Sequence, residues 1–378
     1  MSRGSLRRRC AVVGAGLLGL AAARSMARRG WDTVVFEAAD APGHDRSGSK
    51  GDARIFRLGY PDRVYVEMAL LARALWRDLE TATGAHLLHV TGQLTFGSEV
   101  QAIARTLRAS GVATESLSPK EAARRFPCID AAGPVLFEPD SGVMDADRCL
   151  LALRATAAGH FRLCGGAEVV ALEDDLHADQ VTVVLSGGAP AERADVVVNC
   201  AGPRTLALLG VPAGPGPSLP QVAYFARRDA TEPLPPVFIE WGPDMVYGLP
   251  VPAAGGGPHA GLYKVSHHTP GPPFDPADPD SAPFREDDPA LLARLSDAAR
   301  RLLPGLDPAP VATERCVYDS TADGDFVLDR VGRVVNGCGT SGHGFKFGPL
   351  LGELLADLAE GRRPAVDLSR FSLARLPR

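Results

Sequence analysis

The run Val12-Val-Gly14-Ala-Gly16-Leu-Leu-Gly19 sets three glycines at the spacing G-x-G-x-x-G directly after a short apolar stretch. Glycine at these places lets the backbone leave a strand, turn tightly and enter a helix without a side chain in the way. Residues 9–13 read as a buried strand, 17–29 as a helix with an Ala/Leu-rich inner face stopped at Gly30, and 33–36 as a second strand ending at Glu37. Strand, turn, helix, strand is the βαβ unit whose helix N-terminus, rich in free N–H groups, receives a pyrophosphate. Gly14 permits the turn, Gly16 lets backbone approach phosphate, and Gly19 lets the helix pack close to the strand. Glu37 is placed to accept bonds from ribose hydroxyls.

That loop alone does not separate one dinucleotide from another. A second glycine-rich loop, Gly339-Thr-Ser-Gly342-His-Gly344-Phe-Lys346-Phe-Gly348, precedes a helical stretch over 347–360. By themselves Gly342 and Gly344 read as an ordinary turn before a helix. With a lone Cys316 shortly before them, the two loops predict a dinucleotide held by both ends of the chain, which points to a flavin. A helix starting near Lys346 would aim its positive end at the negative charge a reduced flavin carries.

Helices are predicted over 64–82, 98–110, 145–158 and 288–303 from apolar spacing of three and four. Strands are predicted over 91–97, 167–172, 181–185, 194–202 and 326–338, with several short ones in 221–268. The Pro/Gly-rich stretch 211–220 reads as a crossing between domains, and 269–287, with six prolines, as a surface loop. The fold class expected is α/β (α+β overall). A Rossmann-like FAD-binding βαβ domain (1–85, 145–212, 312–378) is interleaved with a mixed, largely antiparallel substrate domain (86–144, 213–311).

A length of 378 residues with 45% hydrophobic content supports a large core, and a net charge of −5 argues against nucleic acid as partner. No 18-residue apolar run is present, so no membrane span is expected. The apolar stretch after Arg9 imitates a signal peptide, but the glycine loop and Arg24, Arg28 and Arg29 interrupt it. Arg3 and Arg7 to Arg9 read as a solvated arm, and the terminal Leu-Pro-Arg is not a peroxisomal address. Seven scattered cysteines without CxxC fit a reducing cytoplasm, with neither disulfide framework nor zinc site. Abundant Ala, Arg, Gly and Pro with few Lys fit a GC-rich bacterial genome. A monomer is expected.

Further motifs run along nearly the whole chain: Val13-Gly-Ala-Gly16, Gly51-Asp-Ala-Arg-Ile-Phe-Arg57, Thr91-Gly-Gln-Leu, Phe137-Glu-Pro-Asp-Ser-Gly-Val143, Tyr247-Gly-Leu-Pro250, Lys264 with His268, Cys316-Val-Tyr318, Asp325-Phe-Val-Leu-Asp329 and Ser341-Gly-His-Gly-Phe-Lys-Phe347. In order and spacing they resemble the monomeric sarcosine oxidase and N-methyltryptophan oxidase family of flavin amine oxidases, within the D-amino-acid oxidase superfamily. The resemblance implies FAD joined covalently through Cys316, which alone would read as a buried structural cysteine. It implies that Arg54 and Lys346 grip a substrate carboxylate, with Arg57 a second arginine nearer the flavin; any one arginine alone would read as a surface ion pair. It implies that Lys264, alone a solvent-facing lysine, sits over the flavin and promotes reaction with oxygen. His268 and His343 match active-site histidines, and Tyr247 and Tyr318 line the pocket.

Ser49 and Lys50 stand where the family usually has two histidines against the flavin, and Asp319 stands where it tends to have Thr. These departures indicate a substrate other than sarcosine. The expected reaction is oxidation of the C–N bond of an N-methyl or cyclic amino acid to an imine, with O2 reduced to H2O2. A cyclic imino-acid oxidase of the pipecolate or piperideine-carboxylate type, in specialised metabolism, is the alternative, as is a flavin dehydrogenase using an electron carrier. A flavin-binding protein with a decayed site is disfavoured by the joint presence of Arg54, Lys264, Cys316 and Lys346.

Overall fold

The computed structural model describes residues 7–156, 161–175, 179–211, 215–278, 284 and 286–376. Arg3, the end of the 145–158 helix, residues 212–214 of the proposed crossing, 279–283 and 285 of the proline-rich loop and the last two residues lie outside them.

A six-stranded sheet carries the predicted βαβ unit. Its order is Val327–Val331, Val334–Cys338, Val196–Asn199, Arg9–Val13, Asp32–Phe36, Phe161–Cys164. All neighbours are parallel except the first pair. After Arg9 the central strand Arg9–Val13 is apolar and buried, as a strand covered on both faces requires. Helix Leu17–Arg28 crosses back over the sheet and packs on helix Gly348–Glu360 from the other end of the chain. The helices approach so closely that a Cβ on Gly352 would lie 2.5 Å from the Ala21 backbone.

An eight-stranded sheet forms the second layer, in the order Ala312–Arg315, Gln221–Phe225, Tyr263–His267, Val246–Pro250, Val237–Trp241, Gln93–Gly97, Val135–Glu138, Glu115–Leu117. It is antiparallel but for the parallel pair Val237–Trp241 with Gln93–Gly97. Two strands belonging to different sheets replace the single strand expected over 194–202. Glu192–Ala194 pairs with Gln180–Leu185, whereas Val196–Asn199 pairs with Arg9–Val13. Asp195 makes the switch, its carboxylate accepting from the Arg9 amide at 2.7 Å.

Several elements were not anticipated from the sequence. Strand Phe161–Cys164 is a short, half-exposed sheet edge. Helix Pro119–Arg125 is only seven residues long, although Ser118 and Glu121 close a reciprocal capping box on it. Ala53–Phe56 forms a small antiparallel sheet with Gly142–Asp145 and Leu88–His89, which fixes the direction of the Arg54 and Arg57 segment. Among the described residues no helix is long and apolar enough to cross a membrane, and no group of side chains is arranged for a metal ion. All seven cysteines are free.

Candidate active site

The first glycine turn behaves as its spacing requires. Gly14 has φ +88°, and a Cβ there would lie 2.4 Å from the Cys200 carbonyl oxygen. A Cβ on Gly19 would sit 1.8 Å from the Gly14 oxygen, so helix and turn are in backbone contact. Ser49 accepts from the Leu17 amide at 2.9 Å and covers the helix start. The Glu37 carboxylate accepts from the Ala15 amide at 2.7 Å and the Ala39 amide at 3.0 Å. Burial alone would raise its pKa, but His44 and those amides outweigh burial and hold it below the usual carboxylate range. Glu37 is therefore an anion at the end of its strand.

The second turn reaches the same place. Gly342 has φ +74°, and a Cβ on it would strike the Tyr318 ring at 2.4 Å. The chain then makes a short 3-10 turn, Phe345–Phe347, before helix Gly348–Glu360 begins. Lys346 thus sits in the approach turn. Its carbonyl accepts from the Trp76 indole at 2.7 Å, which props the loop on helix Arg63–Thr83.

One cavity of about 850 Å³ runs between the two turns. Gly14, Gly16, Glu37 and Ser49 line one end, and Gly342, Gly344 and Lys346 line another part of the wall. Cys316, Lys264, Arg54, Arg57, Tyr247, His268 and His343 also face it. Two of the cofactor residues expected from sequence do not. Gly19 is spent on the helix contact. Lys50 turns into a separate hollow of about 270 Å³ beside Asp45 and Glu314, with its ammonium 3.8 Å from Asp45.

The cations divide into two groups. Arg54 donates to the carbonyls of Ala53, Gly48 and Lys50, so its fork is occupied by its own loop. Arg57 instead lies over the Tyr60 ring at 4.2 Å, and Lys346 donates to the Tyr60 hydroxyl at 3.0 Å and to the His343 carbonyl at 2.7 Å. Lys346 is therefore grouped with Arg57 rather than with Arg54. Both are buried, and neither forms an ion pair with a carboxylate among the described residues, although the charge of Arg57 bears on the buried Glu138 carboxyl. Tyr60, which sequence reasoning missed, joins them; its only signal was its place three residues after Arg57. Burial would raise the phenol, but Lys346 and Arg57 outweigh that and lower it.

These cations also act on the histidines. Burial, then Arg57 and Lys346, lower His268 to about 4. Burial and the same two cations hold His343 well below its ordinary value. Both rings are neutral at pH 7. The His268 Nδ1 is 3.2 Å from the Tyr318 hydroxyl, and the His343 Nε2 is 3.2 Å from the Gly324 carbonyl oxygen and donates to it. Lys264 is buried, with its ammonium 5.6 Å from the Tyr224 ring centre; burial lowers it.

FAD fits these residues. Bare glycine backbone at a helix start suits its pyrophosphate, and the cavity is long enough to connect that cradle with Cys316 and the cationic wall. A pocket that runs from a dinucleotide cradle to buried positive charge is what an FAD-dependent oxidoreductase needs, and the chain is of that class. It belongs to the DAO family, FAD dependent oxidoreductase, whose profile matches residues 9–358. It is 32% identical over 388 residues to human peroxisomal sarcosine oxidase, covering 97% of this chain and 95% of that one. It is 31% identical to monomeric sarcosine oxidase of Bacillus sp. (strain B-0618), over 96% of this chain and 95% of that one. Among solved structures, the open form of NikD, an unusual amino acid oxidase essential for nikkomycin biosynthesis, superposes with a TM-score of 0.80. The identity is 28%, over 97% of this chain and 98% of that one.

Proposed function

We propose that this amine oxidase acts on the C–N bond of a secondary amino acid, N-methylated or cyclic, yielding an imine and hydrogen peroxide. The observation that carries the reading is the pair Arg57 and Lys346, two buried cations facing the cavity, neither in an ion pair with a carboxylate among the described residues. Buried charge is costly unless paired, so the pair is a receptor for an anion. The substrate carboxylate docks there, with Arg57 offering a fork and Lys346 a point charge. Arg54, expected from the family resemblance to share that grip, is assigned instead to the loop that carries Ser49.

The same positive field selects the free amine, because an ammonium beside two cations loses its proton more readily. Its lone pair is then available to assist C–H cleavage. Neutral His268 and His343 add no charge and shape the pocket with Tyr247 and Tyr318. Held in this way, the reacting carbon is positioned for attack, and positioning supplies much of the rate. Bound FAD would accept the hydride equivalent and pass two electrons to oxygen. Lys264 offers positive charge where oxygen becomes anionic. Cys316 would hold the flavin through a thioether at its 8α-methyl carbon.

Among the described residues, the nucleotide-binding unit takes segments 7–85, 145–211 and 316–376, and the substrate unit 86–144 and 215–315. The last boundary is moved because Ala312–Arg315 pairs in the eight-stranded sheet. The likeness to NikD, an oxidase of a biosynthetic route, supports a second reading, a cyclic imino-acid substrate in specialised metabolism. Purified protein should be yellow and release peroxide when N-methyl and cyclic amino acids are screened. Dye reduction without peroxide would make it a dehydrogenase, and a colourless protein that takes up no flavin would end the reading.

A further inference from the structure

Three adjacent strands bring three polar side chains to one face of the eight-stranded sheet. Gln221–Phe225 lies between Tyr263–His267 and Ala312–Arg315. Tyr224 is registered with Lys264 on one side, and Val222 with Glu314 on the other. Residues two apart on a strand share a face, so Glu314, Tyr224 and Lys264 stand together. The Tyr224 hydroxyl donates to Glu314 Oε2 at 2.5 Å, while its ring lies 5.6 Å from the Lys264 ammonium. That ring also stacks on His259, with 3.8 Å between ring centres and 7° between planes. His259 is itself fixed by Asp52, through Nδ1 at 2.8 Å and its backbone amide at 3.0 Å.

We infer that Glu314, clamped by Tyr224, is the counter-charge that keeps Lys264 an ammonium in the cavity wall, a positioning residue acting through that lysine. The groups bearing on Lys264 can be named. Burial lowers it most, and Arg54 lowers it further; Cys316, Glu314 and Asp52 raise it. Cys316 is assigned to the proposed flavin thioether, and Asp52 is occupied by His259. Glu314 is the carboxylate that remains. It stays ionised because, against burial, the Tyr224 hydrogen bond, Lys264, His259 and Lys50 all lower it. It also borders the second hollow, beside Asp45 and Lys50, which joins it to solvent.

The consequence for oxygen rests on the role proposed for Lys264, and the exclusion of Cys316 on the thioether proposed for it; the strand register that brings Glu314, Tyr224 and Lys264 to one face rests on neither. The chain has only four lysines, Lys50, Lys120, Lys264 and Lys346. In holoenzyme labelled with ¹³C at lysine Cε, the Lys264 signal is assigned by its loss in Lys264→Met and followed from about pH 5 to about pH 11. Glu314→Gln should lower its midpoint by about one pH unit or more, roughly a tenfold loss of ammonium over amine at fixed pH. Lys346, held by Tyr60, and exposed Lys120 should not move. Tyr224→Phe should shift Lys264 the same way by less, and serves alone if Glu314→Gln does not fold. An unchanged Lys264 midpoint in the variant that folds, or a joint shift of all four lysines, would overturn the inference. Failure of the wild type to oxidise any amine would sink the proposed function and leave this titration intact.

Discussion

Lys346 donates to the Tyr60 hydroxyl over 3.0 Å, and Arg57 lies 4.2 Å from the centre of the same ring. One phenol thus ties together the two cations proposed to hold the substrate carboxylate. Lys346→Met should reduce kcat/KM on a carboxylated amine about hundredfold, since losing one partner of a buried charge contact costs about 2–5 kcal/mol. The matching amine without a carboxylate should change little. Steady-state kinetics on both substrates decides the matter, and equal losses would remove the carboxylate from the mechanism.

Lys264→Met should slow flavin reoxidation far more than flavin reduction. Stopped-flow measurement of the two half-reactions separates them. A variant slowed equally in both would make Lys264 a structural lysine.

Cys316→Ser should leave FAD bound but not attached. After acid precipitation the wild-type pellet stays yellow, whereas the variant releases its colour to the supernatant. Colour released from the wild type as well would mean that Cys316 forms no bond.

Asp319 lines the cavity, and burial raises its carboxyl to about 6, only partly offset by the Gly339 amide at 2.7 Å. A raised acid favours the folded state fully below its unfolded value of 3.8, and that share is lost as pH rises through about 6. Asp319→Asn does not titrate and can still accept from Gly339. Its Tm relative to the wild type should therefore climb between pH 4 and pH 6 and level off above. A difference that is flat with pH would mean the carboxyl is not perturbed.

Gly14→Ala must place a methyl 2.4 Å from the Cys200 carbonyl at φ +88°. It should destabilise the fold by about 1–3 kcal/mol and lower flavin content, measured by denaturant unfolding and by absorbance.

Much of the site was legible because some of its parts are local. The G-x-G-x-x-G turn, Glu37 at the end of the next strand and Gly342 and Gly344 before the last helix each depend on backbone geometry within a few residues, and of these the structure places all but Gly19 on the cavity wall. Elements with weak periodicity were not legible. Phe161–Cys164 is four half-exposed residues, and 194–202 hides a change of sheet at Asp195, since an apolar run does not say which partner it will pair with.

Lys50 and Tyr60 show the same limit within the site. Both flank the arginine segment, yet Lys50 turns toward Asp45 in a separate hollow while Tyr60 turns inward to meet Lys346. The sequence by itself determined that a dinucleotide cradle forms at one end of the chain and a second glycine turn at the other, because φ and the absence of a Cβ are properties of single residues. Only the tertiary structure decided that Arg57 rather than Arg54 joins Lys346, and that Glu314 shares a sheet face with Lys264. Electrostatic interaction weakens with distance, and strand register and packing alone bring residues far apart in the chain close enough to act on one another.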